Sequence, residues 1–102
     1  MTSNRTSLRK ATSAAAREIT HGIRKSAMIN GWDPKAIKGI MVHHDGTEFK
    51  LHTSQDVDGL VWKHEYGDEQ TQPTAAIRKF LNNKKRLNEI VYRHYINQGR
   101  RH

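Results

Sequence analysis

Apolar residues along this chain change rhythm three times, and each rhythm predicts an element. From about Thr6 to Met28, Leu8, Ala11, Ala15, Ile19, Ile23 and Ala27 recur at spacings of three and four, the period of a helix with one buried stripe. Ala14-Ala15-Ala16 adds helix propensity and allows close packing. Asn30-Gly31 supplies a stop, because both residues tolerate the left-handed conformation, and Trp32-Asp33-Pro34 prolongs the break. Residues 37–44 and 47–54 then read as two strands around Asp45-Gly46, a two-residue hairpin signal. Ile40, Val42 and His44 alternate against Met41 and His43, and Phe49, Leu51 and Thr53 against Glu48, Lys50 and His52, so Phe49 and Leu51 should face the core. Leu60–Tyr66 reads as a third strand or a short helical turn, with Val61-Trp62 favouring a strand. After a polar loop over Asp68–Gln72, Pro73 suits the first turn of a last helix running to about Asn97. Ile77, Phe80, Leu81, Leu87, Ile90, Val91 and Tyr95 mark its buried stripe. Residues 1–4 and 99–102 are expected to be flexible ends.

The order helix, hairpin, optional third strand, helix predicts a single α+β domain over 1–102. A long N-terminal helix and a long C-terminal helix would pack on one face of a small antiparallel sheet. Such a sheet has at least one open edge, which is a hazard in a lone monomer and a docking surface in an assembly.

Composition narrows the classes. Of the 102 residues, 34% are hydrophobic and the mean hydropathy is −0.90, so the core is thin and assembly is expected to add stability. The absence of cysteine excludes disulfides and thiolate metal sites. No apolar run approaches the ~20 residues of a membrane span, and without a secretory leader a cytosolic origin is the expectation. The net charge of +8 is unevenly spread. Residues 1–29 carry six basic residues against one acid, 30–70 four against eight, and 71–102 eight against one. A basic–acidic–basic order suits a subunit that docks on copies of itself in a fixed register.

Little in the sequence speaks for catalysis. No nucleophile motif or phosphate-cradling glycine loop is present. Val42-His43-His44-Asp45-Gly46 is similar to the start of an HNH nuclease motif, but the spacer residue is missing and a strand follows where a metal-binding loop should. His44 and His52 could face each other across the hairpin, yet no compact ligand spacing completes a zinc site. No catalytic residue, metal or cofactor is therefore assigned.

The most distinctive stretch is Gly59–Asn82. Glu65-Tyr66-Gly67 closes an apolar segment, a loop and Pro73 follow, and Arg78 and Phe80 open the last helix. This order resembles the minor tail protein Z-like, tail-completion or neck family of long-tailed double-stranded DNA phages. The chain departs from that pattern at Asp68, where the family usually has Thr, and at Thr74-Ala75, where a second proline is common. The resemblance implies a non-enzymatic virion protein at the head–tail junction, assembled in the host cytoplasm. It would form a homo-oligomeric ring, a hexamer or dodecamer, that completes the tail and joins it to the head connector. Its partners would be other connector, tail terminator or tail tube proteins, with genomic DNA passing through and no membrane. Trp62, Glu65, Tyr66, Gly67 and Asp68 are then expected at subunit contacts. Trp62, Tyr66 and Phe80 would be the anchors; the alternative for all three is the subunit's own core, which is the favoured place for Phe80. The alternative is a small basic DNA-binding protein using Arg78, Lys79, Lys85, Arg86 and Arg93. In the neck reading the same residues would meet DNA or an acidic partner.

Overall fold

The computed structural model describes residues 2–45, 48–70 and 72–99. Its elements are α1 (Thr2–Ile29), α2 (Pro34–Lys38), β1 (Ile40–His44), β2 (Phe49–Thr53), α3 (Asp58–Tyr66), α4 (Ala76–Leu81) and α5 (Lys84–Gly99). The class is α+β, with a long N-terminal helix, an antiparallel hairpin and a C-terminal helix. Among the described residues no helix is long and apolar enough to cross a membrane.

Helix α1 is the spine: β1, α2, α4 and α5 all pack against it. Its stripe of Ala11, Ala15, Ile19, Ile23 and Ala27 is buried, as the spacing requires; the side chain of Leu8 lies outside the described residues. The helix begins at Thr2 rather than Thr6, because an established helix gains a hydrogen bond for each residue added. Gly22 interrupts this good helix former for a steric reason. A Cβ built there would stand 2.2 Å from Phe80 Cε2, so the absence of a side chain lets α4 approach α1.

The strands pair antiparallel with Val42 opposite Leu51 and His44 opposite Phe49. The Asp45 N–H donates to Glu48 O at 3.0 Å, so the arms join through Gly46 and Thr47, which lie outside the described residues. The first arm is shorter than expected. Asp33 Oδ1 accepts from Lys35 N at 2.8 Å and Pro34 follows that cap, a start signal that turns residues 34–38 into α2. Ile40 and Val42 are buried, and Phe49 and Leu51 pack on the core half-buried.

The outer edge of β1 is covered by α1. The Val42 N–H donates to Thr20 Oγ1 at 2.9 Å, and the Arg24 guanidinium donates to Ile40 O at 2.7 and 2.9 Å. Two polar side chains of α1 thus occupy two of the backbone groups that a further strand would use.

Two expectations are corrected. Residues 60–66 form helix α3, not a third strand. Trp62 Nε1 donates to Asp58 Oδ1 one turn earlier at 3.0 Å, and Val61 is fully buried, so helical contacts override the strand preference of Val61-Trp62. The C-terminal helix is two helices. It starts at Ala76, beyond Pro73, and breaks at Asn82-Asn83, where Asn83 Oδ1 accepts from Arg86 N at 3.2 Å and starts α5. The break changes the buried stripe. Ile77, Phe80 and Ile90 are buried and Leu87 and Val91 half-buried, whereas Leu81 and Tyr95 are exposed.

The Gly22–Phe80 approach gives a prediction opposite in sign to helix propensity. Gly22→Ala should destabilise the fold by about 1–3 kcal/mol, as overpacking does, measured by urea denaturation; a variant as stable as the parent would refute the close approach.

Candidate functional site

The residues of the Glu65–Phe80 segment meet at one joint. The last turn of α3 directs Glu65 inward, where it is fully buried. Oε1 accepts from the Ile77 N–H at 2.8 Å, and Oε2 accepts from the Arg78 N–H at 3.0 Å and from Arg78 Nε at 2.8 Å. Arg78 Nη2 donates to Glu65 O at 2.6 Å. Helix starts leave backbone N–H groups unpaired, and the residue before α4, Ala75, has no side chain that can cap them. Glu65 supplies the missing acceptor from another helix. It is a charge-assisted cap and a buried ion pair at once. Ala75 itself sits at φ 51°, a left-handed conformation that costs a non-glycine residue about 1 kcal/mol. It is tolerated because the chain is fixed on both sides of it.

A second set of contacts fixes the approach to the joint. Thr74 donates from both N (2.9 Å) and Oγ1 (3.0 Å) to His64 O, and Thr74 Oγ1 accepts from Trp32 Nε1 at 2.7 Å. The Trp32 and His64 rings stack at 5.2 Å, and His64 Nε2 accepts from the Asp33 N–H at 3.2 Å. Trp32 is therefore a buried organiser between α1, α3 and the segment leading to α4. In the sequence it marks only a break. Ser26 Oγ donates to Ala76 O at 2.9 Å and ties the start of α4 to α1.

Outside this buried joint lies an exposed ladder. The Trp62 and Tyr66 rings are 5.8 Å apart, and the Arg78 guanidinium lies 4.3 Å over the Tyr66 ring. Tyr66 is 59% exposed and the Arg78 side chain 45%. Tryptophan, tyrosine and arginine are the residue types that carry most binding energy at protein interfaces. Here their geometry is set beforehand, because Arg78 is held by Glu65 and Trp62 by Asp58. Gly67 ends α3 at φ 78°, with its N–H on Lys63 O at 2.8 Å, and Asp68 pairs with Lys63 at 3.6 Å. Of the expected contact residues, Tyr66 and Asp68 face outward along this edge, whereas Trp62 is half-buried and packs on the core with its remaining surface beside Tyr66. Glu65 is engaged inside its own chain, and Phe80 belongs to the core.

The basic residues separate into different environments. Arg78 belongs to the joint, and Lys79 Nζ donates to Asn30 Oδ1 at 3.1 Å. Lys85, Arg86 and Arg93 join His21 and Lys25 around a cleft of about 680 Å³ between α1 and α5, with Glu18 and Glu89 in its walls. Arg93 and His94 both contact Glu18, at 2.9 and 3.3 Å. On the hairpin, the His43 and His52 rings meet at 4.8 Å and His44 packs on Phe49. Among the described residues no group of three His, Asp or Glu could hold a metal ion.

No protein-family model matches the chain, and no curated protein or solved structure does.

The joint predicts graded losses of stability. Glu65→Ala should cost about 3 kcal/mol, because the Ile77 and Arg78 N–H groups lose their acceptor and a buried side chain is removed. Arg78→Ala should cost about 1–2 kcal/mol, because the two backbone donors keep their acceptor. Chemical denaturation of both variants tests this order, and equal losses would contradict it. Ala75→Gly should raise stability by about 1 kcal/mol by relieving the left-handed residue, read as a higher midpoint.

Proposed function

We propose that this chain is an assembly subunit of a tailed-phage virion, at the head–tail junction. It would complete the tail and join it to the head-side connector as a homo-oligomeric ring. The observation that supports this reading is the convergence of the resembled residues on one joint. Glu65 and Arg78 bond, Gly67 ends the helix that carries Glu65, and Phe80 packs on Gly22. The shared order therefore encodes a structural device, and the device holds the Trp62–Tyr66–Arg78 ladder at the surface.

An assembly role follows from the physics of that ladder. A contact surface whose side chains are ordered before binding loses little entropy on docking. Ring subunits join through two different patches, and the rotation between them sets the copy number. The ladder is one such patch; the neighbouring subunit or the next layer of the neck would supply its complement.

The cleft with Lys25, Lys85, Arg86 and Arg93 favours a second reading, a nucleic-acid-binding protein whose affinity falls with salt. Light scattering at low and moderate salt, with and without duplex DNA, separates the two. The assembly reading predicts a discrete multi-copy mass indifferent to DNA. Tyr66→Ala should keep the circular dichroism and melting of the parent yet lose that mass, and Trp62→Ala, which also gives up core packing, should stay folded with a lower melting temperature and lose it too. A monomer that forms a salt-sensitive DNA complex, abolished when Lys85, Arg86 and Arg93 are neutralised together, would overturn it.

A further inference from the structure

The two edges of the hairpin are treated differently by the fold. The Ser54 N–H donates to Gly39 O at 2.9 Å and the Asp45 N–H to Glu48 O. In an antiparallel ladder bonded and non-bonded pairs alternate, so Met41–His52 and His43–Lys50 are the bonded pairs. The backbone groups of Ile40 and Val42 therefore point away from β2, and those of Phe49, Leu51 and Thr53 point away from β1. On the β1 side, Thr20 Oγ1 accepts from the Val42 N–H and Arg24 donates to the Ile40 carbonyl. On the β2 side, these N–H and C=O groups have no hydrogen-bond partner among the described residues.

A second observation lies beside the open edge. An apolar cavity of about 290 Å³ runs between Phe49, Lys50 and Leu51 of β2 and Leu87, Asn88 and Val91 of α5, with Ile19 and Ile23 of α1 in its walls. The half-buried side chains of Phe49 and Leu51, on the strand whose ladder is unfinished, thus adjoin apolar space that also reaches Val42 and Leu81. A row of open backbone groups calls for an extended backbone, and an adjoining apolar cavity calls for alternate apolar side chains. Strand addition meets both demands.

We propose that β2 pairs with β2 of a second copy of this chain, antiparallel and centred on Leu51. Leu51 then faces Leu51 of the second copy, Phe49 faces its Thr53, and Lys50 faces its His52. This register overlaps all of β2 and sets outward-bonding residues opposite one another, so each such pair exchanges two hydrogen bonds. Phe49 and Leu51 of both copies share one face and bring apolar side chains to the cavity beside each α5.

Three features favour a second copy over a foreign strand. Pairing is self-limiting: the resulting four-stranded sheet has β1 at both margins, where α1 packs and Thr20 and Arg24 already occupy the Val42 N–H and the Ile40 carbonyl. The register avoids placing Lys50 against Lys50. Lys50 is already paired within each copy, 3.0 Å from Asp45 and 4.0 Å from Glu48. The basic excess sits on the flanking helical segments, 1–29 and 71–102, rather than on the hairpin. The pairing uses the hairpin edge rather than the Trp62–Tyr66–Arg78 ladder, and it stands whether or not copies close into a ring.

The chain has no cysteine, so a single introduced one reports on its own symmetry mate. Residues facing each other in a bonded antiparallel pair have Cα atoms about 5.5 Å apart, within disulfide reach. In this register Thr53 of one copy lies about 14 Å along the strand from Thr53 of the other, beyond reach. Full-length Leu51→Cys and Thr53→Cys, each checked for parental circular dichroism, are oxidised at a series of concentrations, and the parent's mass is followed by sedimentation. The expected result is a parent of two copies, or of an even number of copies where rings also form, and cross-linking of Leu51→Cys at least about tenfold faster than of Thr53→Cys. A monomeric parent, or equal cross-linking at both positions, would overturn the pairing. A multi-copy ring in which Leu51→Cys does not cross-link would uphold the assembly reading and refute this one.

Discussion

The buried carboxylate of Glu65 is the interaction on which the second half of the chain depends. Residues 72–99 begin with a segment that has little reason to fold where it does. Ala75 is in a left-handed conformation, the helix it precedes has no cap of its own, and α4 is six residues long. Glu65 resolves all three difficulties by accepting from the first free backbone donors of α4 and from Arg78 at the same time. A carboxylate removed from water is costly unless its oxygens are fully used, and here each has at least one donor. The same arrangement orders the surface, since the guanidinium that binds Glu65 also lies on Tyr66. Burial on one side and display on the other are two consequences of one ion pair.

Helix α1 makes that joint possible by being narrow. Its buried side is alanine-rich with two isoleucines, and Gly22 removes the last obstruction beneath Phe80. Close approach of α4 to α1 sets the height at which Ile77 and Arg78 meet Glu65. Thr20 and Arg24 on the same helix finish the edge of β1. A thin core of small residues is thus supplemented by specific polar contacts from one spine, each satisfying backbone groups that would otherwise remain open.

Much of this was legible in the sequence, for reasons that can be named. The spacing of Ala11, Ala15, Ile19, Ile23 and Ala27 could mean only a one-sided helix, and the alternation around Ile40–His44 and Phe49–Thr53 a half-buried hairpin. The α+β class followed. Residues 60–66 were left between a strand and a helical turn, with the strand favoured, because a seven-residue segment with only Leu60, Val61 and Trp62 apolar at its start carries no reliable period; the deciding features are Asp58 one turn before Trp62 and the positive φ of Gly67, which are contacts and conformations rather than composition. The split of the last helix had a signal in Asn82-Asn83, a pair of capping residues inside a helical pattern. At the site, the sequence picked out Glu65, Tyr66, Gly67, Arg78 and Phe80 without indicating that Glu65 and Arg78 touch. Thirteen positions separate them, and only the turn of α3 back toward α1 closes the gap. The role of Trp32 left no mark at all, since its partners His64 and Thr74 are distant in sequence.

Amide hydrogen exchange at Ile77 and Arg78 tests the Glu65 joint most directly. The first N–H groups of a helix ordinarily exchange quickly because nothing accepts from them. With Glu65 accepting from both, they should exchange only on global unfolding, as slowly as the buried amides of α1, and Glu65→Ala should release them while α1 stays protected. Fast exchange of both amides in the parent chain would show that the carboxylate does not cap α4, and would remove the basis for the ordered ladder.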